Sequence, residues 1–270
     1  MRCMRVALLF VFLLAGSVAA GAGEVVVEFT SDGPGGQSPY TIIKNALGTD
    51  SLEVPDNFHS PPVAHIQDQT LVAVGNCFLF ILHRDKDGDP TGTTKNQRNE
   101  IKVGKYAIDE AKGTPDNPLT YEWLFKVGKD MKVSREFTHI FQLKSVGGDD
   151  SQPIITLTGA KVSGNDRLQL RYNQSSASKL QILRSIPWSS ARNRWIKATI
   201  STTFKDDGYL KVRLSRLSDN YTILSYSNQN IDMWRGGTFV RSKYGIYRSL
   251  NYKTELNDGR VFFANFRIIK

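Results

Sequence analysis

The stretch Tyr121-Glu122-Trp123-Leu124-Phe125-Lys126 carries large aromatic side chains at every second position. Successive side chains of a β-strand point to opposite faces, so this spacing places Tyr121, Trp123 and Phe125 together on one face. Such alternation is typical of a strand that covers a hydrophobic core with one of its sides. The stretch therefore predicts a half-buried β-strand.

Similar short runs of β-branched and aromatic residues recur on both sides of this stretch, and turn-forming clusters of Gly, Asp and Pro separate them. The runs are 24–30, 70–74, 77–83, 138–144, 153–157, 167–172, 195–204, 210–214, 221–225 and 261–269. Helical periodicity is confined to short stretches such as 40–47. Many short strands predict an all-β fold, an antiparallel β-sandwich or β-jelly roll. Because the chain shows no repeat, linker or composition break, we expect a single domain over residues 23–270.

The first 22 residues predict an export signal. Arg2 and Arg5 precede the apolar run Val6–Leu14, and small residues follow up to Ala22. This order matches the charged, apolar and cleavage regions of a signal peptide. The apolar run is shorter than the roughly 20 residues that a membrane-spanning helix needs. We therefore expect a secreted, extracellular protein.

The net charge of +9 predicts an anionic partner, because a basic surface attracts polyanions over long distances. Export argues against nucleic acid, and the lack of a basic amphipathic helix argues against a membrane. An acidic polysaccharide remains, alongside the simpler alternative of a soluble basic surface. Cys77 lies within an apolar run, which favours a buried side chain over a nucleophile. We expect a monomer.

Charged residues occupy one face of the predicted strand 97–102. Alternation places Arg98, Glu100 and Lys102 on that face and Asn99 on the other. Three charged groups in a row suit a groove for an anionic chain, with Glu100 holding Arg98 in place. The alternative is an exposed strand face with cross-strand ion pairs.

Two further segments mix polar and apolar residues in the same way. In the segment 137–144, His139 falls on one alternating face and Gln142 on the other, so alternation does not decide which face would line a groove. In the segment 241–248, Lys243 and Tyr247 share a face, and Gly245 removes the side chain between them. A glycine inside a strand often marks the close approach of a ligand or of another backbone.

Together the three segments resemble the alginate-lyase and heparin-lyase-like polysaccharide lyases. Alginate lyases of this fold carry Arg-x-Glu-x-Arg, Gln-Ile-His and Lys-x-Gly-x-Tyr in that order. Residues 98–102 are similar to the first motif, with Lys102 for the last arginine, and residues 243–247 match the third. The middle motif departs, because His139-Ile140-Phe141-Gln142 has the residue types but not the order or spacing. The opening and closing residues look closest to the glucuronan-lyase and heparin-lyase-like branches.

The resemblance implies a concanavalin-A-like jelly roll with a concave substrate groove, and β-elimination at a uronate such as that of glucuronan, alginate or a glycosaminoglycan. Arg98 and Gln142 would neutralise the substrate carboxylate, and Tyr247 would act as general acid, with Tyr247 or His139 as the base. Lys243 would lower the pKa of Tyr247 enough for that second duty. The remaining substrate-binding candidates are Asn99, Glu100, Lys102, Lys243, Tyr244 and Arg248.

The proposed chemistry requires no cofactor. His59, His65 and His83 do not show the spacing of a metal motif, so the sequence predicts no metal site. The Asp85–Asp89 loop alternates oxygen ligands and would suit a structural calcium, although it departs from the EF-hand pattern. Two other functions remain open: a non-catalytic, lectin-like carbohydrate-binding protein, and a glycoside hydrolase. A hydrolase would need a second carboxylate beside Glu100.

Overall fold

A computed structural model describes residues 23–270, and the predicted export signal lies outside these residues. The described chain contains one α-helix, α1 (Pro39–Leu47), and no described helix is long and apolar enough to cross a membrane. The strands in chain order are β1 (Val25–Phe29), β2 (Leu52–Glu53), β3 (Ile66–Leu71), β4 (Gly75–Leu82), β5 (Asn96–Lys102), β6 (Leu119–Val127), β7 (Thr138–Val146), β8 (Ile155–Val162), β9 (Asn165–Tyr172), β10 (Gln181–Pro187), β11 (Ile196–Thr202), β12 (Gly208–Arg216), β13 (Thr222–Ile231), β14 (Phe239–Ser249) and β15 (Gly259–Ile269).

The strands form two antiparallel sheets. The first has the order β13-β12-β11-β6-β15-β4-β3, and β1 also pairs with β15. The second, which we call the cleft sheet, has the order β10-β9-β8-β7-β14-β5-β2. Neighbours such as β5 and β14 lie far apart in sequence, as expected for a jelly roll. The predicted all-β antiparallel sandwich is confirmed.

The core lies between the two sheets and is rich in aromatic side chains. Trp123 of the first sheet stacks on Phe141 of the cleft sheet, with ring centroids 4.5 Å apart, and meets Tyr244 edge-on at 5.2 Å. All three side chains are buried, which the alternation in β6 predicts for Trp123. Burial of such large apolar surfaces is the main term that stabilises the sandwich. The core therefore fixes the inner face of β7 and β14 and leaves their other face free.

Cys77 belongs to a smaller apolar cluster with Leu124, Trp195 and Ala264. Its side chain is buried, and burial raises the pKa of the thiol to about 11. A thiol with that pKa stays protonated at neutral pH, and only the thiolate is an effective nucleophile. The prediction that Cys77 is a buried apolar residue is confirmed.

Candidate active site

A cleft of about 650 Å³ lies on the face of the cleft sheet that points away from the core. Arg98, His139, Gln142 and Tyr247 all line it. These are the residues that the sequence predicts as catalytic, and they come from three adjacent strands of the cleft sheet, β7, β14 and β5. Other side chains that line it include Asn96, Arg135, Glu136, Phe137, Lys144, Thr156, Arg171 and Asn173.

The strand register arranges the floor of the cleft in two rows. Tyr247 pairs with Arg98 on one side and with His139 on the other. Four residues away along β14, Lys243 pairs with Gln142 in the second row. The first row reads Arg98, Tyr247, His139, Thr158 and Gln169, and the second reads Lys102, Lys243, Gln142, Thr156 and Arg171.

A β-bulge explains why His139 and Gln142 line the same cleft although they are three residues apart. Between β7 and β8 the register shifts between His139 and Phe141, which inserts one extra residue into β7. Ile140 and Phe141 are consecutive, yet both are buried in the core. A bulge reverses the alternation beyond it. The two polar side chains that strict alternation separates therefore face the cleft together.

Gly245 marks the close approach of a neighbouring backbone. Its φ is 145°, a conformation that residues with a side chain rarely adopt. A Cβ atom at this position would lie 2.1 Å from the carbonyl oxygen of Asn99 and 2.7 Å from the Cα atom of Glu100. The glycine lets β5 and β14 pair closely, which brings Tyr247 next to Arg98.

The phenol of Tyr247 is half-buried and held from two sides. The Nδ2 of Asn96 donates a hydrogen bond to its oxygen at 2.7 Å, and the Arg98 guanidinium lies 3.7 Å from the ring centroid. Burial raises the pKa of Tyr247, and the positive charge of Arg98 opposes this only in part. The expected lowering of this pKa by Lys243 was therefore wrong. Tyr247 keeps its proton at neutral pH and can donate it.

His139 is the candidate base of the cleft. Its ring stacks on Phe137 with centroids 4.5 Å apart, and its Nδ1 lies 2.8 Å from the Thr158 hydroxyl. Its Nε2 forms no hydrogen bond to any residue in the range 23–270. Burial holds the pKa of His139 well below its usual value, and the charges of Arg171 and Arg98 lower it further. The imidazole is therefore neutral at physiological pH and can accept a proton.

One part of the floor, which we call the paired half, consists of Arg98, which lines the cleft, and of the residues in ion-pair contact with it or with its partners, none of which lines the cleft: Lys102, Lys243, Glu53, Asp89 and Glu100. Arg98 donates to all three carboxylates, at 3.1 Å to Glu53, 3.0 Å to Asp89 and 2.8 Å to Glu100. Lys243 contacts Glu53 at 2.6 Å and Glu100 at 2.8 Å, and Lys102 contacts Glu53 at 2.8 Å. The sequence analysis anticipated only the pairing of Glu100 with Arg98.

The ion pairs satisfy most of the charge in the paired half. Burial alone would raise the pKa of Glu53, but the Lys243, Arg98 and Lys102 cations outweigh it and hold that pKa below its usual range. Four of the five N–H groups of a guanidinium are used when Arg98 binds its three carboxylates. The Nε2 of Gln142 also donates to Glu100. Arg98 therefore supports Tyr247 from below rather than pointing at a ligand.

The other part of the floor, which we call the open half, contains Lys144 and Arg171. Neither cation lies within salt-bridge distance of a carboxylate in residues 23–270; Arg171 donates to Gln169 at 2.8 Å. Burial lowers the pKa of Arg171 to about 10, and Glu136 offsets this in part. Burial also lowers the pKa of Lys144, as do Lys243 and Arg98. An anionic ligand would relieve this cost.

Arg171 is not among the residues predicted from the sequence, although a signal for it is present in its strand. In Arg167-Leu168-Gln169-Leu170-Arg171-Tyr172 the polar and apolar residues alternate strictly. Leu168, Leu170 and Tyr172 are buried in the core, so Gln169 and Arg171 face the cleft side. Glu53 gave no such signal, because β2 contains only two residues.

Three predicted substrate-binding residues lie in the interior and do not reach the cleft. Asn99 is fully buried and donates to the carbonyl oxygens of His65 and Ile81 at 2.9 Å each. Tyr244 is packed in the aromatic core. Arg248 is fully buried and donates to the side-chain oxygen of Gln97 at 2.7 and 2.9 Å. Alternation places these side chains on the inner face of their strands, so a polysaccharide in the cleft cannot touch them.

The Asp85–Asp89 loop does not form the calcium site that its sequence suggested. Its acids turn in three directions: Asp85 pairs with Arg84 at 2.6 Å, Asp89 binds Arg98, and Asp87 faces His59 at 2.6 Å. Asp87 instead joins three histidines in a group that can hold a metal ion: His59, His65, His83 and Asp87. The sequence spacing of these histidines predicted no metal site, yet the fold brings them into one group that could hold an ion. They come from separate elements, so no spacing motif reveals them.

Comparison with solved structures places this arrangement among known folds. The chain is similar to an alginate lyase of family PL-14 from Aplysia kurodai, with a TM-score of 0.59 and 15% identity over 92% of this chain and 99% of that one. It is also similar to an endo-β-1,4-glucuronan lyase from the fungus Trichoderma reesei, with a TM-score of 0.52 and 13% identity over 76% of this chain and 86% of that one. For an alginate lyase from Pseudomonas aeruginosa the TM-score is 0.53 and the identity 14%, over 81% of this chain and 96% of that one.

The chain has the jelly-roll fold of these polysaccharide lyases. No protein-family model matches its sequence, and no curated protein does either. The similarity to these solved structures therefore shows the fold, which the sequence motifs predicted. The chemistry must be argued from the cleft itself.

Proposed function

We propose that this protein is a secreted polysaccharide lyase that cleaves a uronate-containing acidic polysaccharide by β-elimination. The observation that carries the proposal is the pairing of Tyr247 with His139 across β14 and β7, inside a cleft that is also lined by two cations, Lys144 and Arg171, without a carboxylate partner in the described part of the chain. One residue is set up to donate a proton and the other to accept one. The fold that the chain shares with glucuronan and alginate lyases supports the same conclusion.

The elimination needs an acid and a base on the reacting sugar. The base removes the proton from the carbon next to the carboxylate, and the electrons of that C–H bond form a double bond to the neighbouring carbon. The bond from that neighbour to the glycosidic oxygen breaks, and the oxygen takes a proton. Neutral His139 suits the first step through Nε2, and protonated Tyr247 suits the last. The phenolate of Tyr247 then regains a proton from His139 or from water.

The developing negative charge requires fixed donors close to the carboxylate. Arg171 is better placed for this role than Arg98, because its charge has no carboxylate partner among the described residues. Both side chains line the cleft, and the charge of Arg171 lowers the pKa of His139 more than any other charge does. We therefore assign carboxylate binding to Arg171 with Lys144 and Gln142. Arg98 becomes a positioning residue for Tyr247.

A product assay tests the proposal. The mature protein would be incubated with glucuronan, alginate and glycosaminoglycans, and the ultraviolet absorbance of the unsaturated uronate would be followed. Tyr247→Phe should lower the turnover by about 10²–10⁴-fold, the usual contribution of a positioned proton donor. Tyr106→Phe is the matched control, because Tyr106 is 63% exposed and does not line the cleft.

The outcome also separates the other functions. A non-catalytic binding protein would bind a polyuronate without any rise in absorbance, and Tyr247→Phe would leave that binding almost unchanged. A glycoside hydrolase would release reducing ends without the unsaturated product. No absorbance with any member of the panel would reject the lyase.

A further inference from the structure

Three of the four histidines in the chain meet at one place, on the side of β5 opposite the cleft. The Nε2 of His65 lies 3.1 Å from Asp87 Oδ1 and 3.2 Å from the Nδ1 of His83. His83 Nδ1 lies 3.4 Å from Asp87 Oδ2, and His59 Nε2 lies 2.6 Å from Asp87 Oδ1. The four potential ligand atoms are all within 4.8 Å of one another.

These separations suit a tetrahedral metal ion. Zinc binds imidazole nitrogen and carboxylate oxygen at about 2.0–2.1 Å, so neighbouring ligand atoms of a tetrahedron lie about 3.3 Å apart. The separation of 3.2 Å between His65 and His83 is close to that value, as are those of 3.1 Å from His65 to Asp87 Oδ1 and 3.4 Å from His83 to Asp87 Oδ2. The 2.6 Å contact of His59 with Oδ1 is a hydrogen bond, which the ion would replace. Three nitrogens and one oxygen are typical ligands of zinc, whereas calcium and magnesium prefer oxygen alone.

The ring of His65 is oriented as metal-bound histidines usually are. Its Nδ1 donates to the carbonyl oxygen of Val63 at 2.7 Å and to Asp56 Oδ1 at 3.0 Å. Asp56 is itself held by the hydroxyl of Tyr40 at 2.6 Å. A proton fixed on Nδ1 leaves the lone pair of Nε2 for the metal, and such outer hydrogen bonds hold the ring in position.

The inner face of β5 holds the segments that carry the ligands. The Nε2 of Gln97 donates to the carbonyl oxygens of His83 at 2.9 Å and Asp87 at 2.7 Å. Arg248 in turn donates to Gln97, and Asn99 donates to the carbonyl oxygen of His65. The buried polar residues that do not reach the cleft therefore fix the backbone of the histidine cluster. A site with its ligands held in this way is preorganised for binding.

We propose that His59, His65, His83 and Asp87 bind one divalent cation of the zinc type. Four protein ligands complete a tetrahedron, which is the arrangement of structural rather than catalytic zinc sites. The ion ties the His83–Asp89 segment to the chain before β3. Because Asp89 of that segment binds Arg98 and Arg98 lies against Tyr247, the ion also supports the floor of the cleft.

Metal analysis tests this proposal without any assay of lyase activity. The untagged full chain should contain zinc in equimolar amount by mass spectrometry, and His59→Gln and Asp87→Asn should contain much less. His139→Gln is the matched control: it removes the one histidine of the cleft and should keep the metal. Circular dichroism would confirm that each variant is folded.

Reconstitution supplies a second measurement on the unaltered protein. Removal of the metal with a chelator should lower the melting temperature by roughly 10 °C, and zinc should restore it, as expected for a tightly bound ligand of the native state. Calcium or magnesium should not restore it. Cobalt should give the visible absorption of a four-coordinate site. A folded wild-type chain that takes up no zinc or cobalt, or whose stability responds only to calcium, would overturn the proposal.

Discussion

The paired half and the open half of the cleft floor carry the same kind of side chain in different electrostatic states. Arg98, Lys102 and Lys243 are bound by three carboxylates, whereas Lys144 and Arg171 have no carboxylate partner within residues 23–270. A cation that is already paired gains little from a second anion, but a desolvated unpaired cation gains a great deal. The comparison teaches that position in a cleft does not by itself identify the groups that bind a polyanion.

The two halves consequently have different tasks. The paired half builds a rigid platform under Tyr247, since Arg98 is fixed by Glu53, Asp89 and Glu100. In the open half, burial of Lys144 and Arg171 without a carboxylate partner among the described residues costs free energy, and a bound uronate carboxylate would offset that cost. This arrangement follows the general pattern in which a functional site is less stable than the fold could make it. The following predictions test the division.

The largest effect is expected from Glu100→Gln, which removes a charge from the paired half. Glu100 is fully buried and binds both Arg98 and Lys243 at 2.8 Å. Loss of one partner of a buried ion-pair network should lower the free energy of unfolding by about 3–5 kcal/mol. Urea denaturation measures this change.

Glu28→Gln is the control for Glu100→Gln. Glu28 is 64% exposed in its side chain and lies 3.6 Å from Arg267, so its replacement should change the free energy of unfolding by less than about 0.5 kcal/mol. If both variants behaved alike, the paired half would not be the rigid platform described above.

A smaller effect, on catalysis rather than stability, is expected from Arg171→Gln. Removal of a charged hydrogen bond to the substrate costs about 1.5–3 kcal/mol, which corresponds to a roughly 10–100-fold loss of kcat/KM. Steady-state kinetics on the best substrate of the panel would measure it. Arg213→Gln is the control, because Arg213 lies on β12 of the other sheet and contacts Thr222. Equal kcat/KM values for the two variants would show that Arg171 does not bind the substrate carboxylate.

The same contrast shows how far the sequence could predict the site. Alternation in β5 correctly placed Arg98, Glu100 and Lys102 on one face, because β5 pairs with β14 without a break in register. Alternation in β7 could not place His139 and Gln142, because the bulge near Ile140 adds a residue that no local pattern announces. Regular strands are readable from sequence, and bulges are not.

Long-range pairing was the second limit. The sandwich and its core follow from local patterns such as Tyr121-Trp123-Phe125, which are buried as predicted. The ion-pair partners of Arg98 do not follow from local patterns, since Glu53 is 45 residues away in the chain. The histidine cluster has the same origin: His59, His65 and His83 meet only when β3 and β4 pair. Which cations of the cleft are paired with carboxylates could therefore be read only from the folded structure.

Lys144→Gln and Lys102→Gln are expected to change the free energy of unfolding modestly and in opposite directions. Lys144 is a desolvated cation without a carboxylate partner among the described residues, so its removal should raise the free energy of unfolding by on the order of 0.5 kcal/mol while it weakens polyuronate binding. Lys102 contacts Glu53 at 2.8 Å, so its removal should lower the free energy of unfolding by about 0.5–1 kcal/mol. Thermal melts and binding titrations measure both. The same sign of stability change in the two variants would contradict the division into halves.

The smallest effect is expected from pH. The pKa of His139 is held well below 6.5 by burial and by the nearby charges of Arg171, Arg98, Lys243 and Lys144, so the base stays neutral as the pH falls through 6.5. The pKa of Tyr247 is raised above 10.0 by burial, so the acid keeps its proton as the pH rises to that value. Since kcat/KM reports the free enzyme, its pH profile should be nearly flat between about 6.5 and 9, above which Arg171, with a pKa of about 10, begins to lose its charge. An acidic limb centred near 6.5 would mean that His139 is solvated and not buried beside the cations of the open half. A steady rise of kcat/KM toward pH 10 would mean that Tyr247 acts as its phenolate and not as a proton donor.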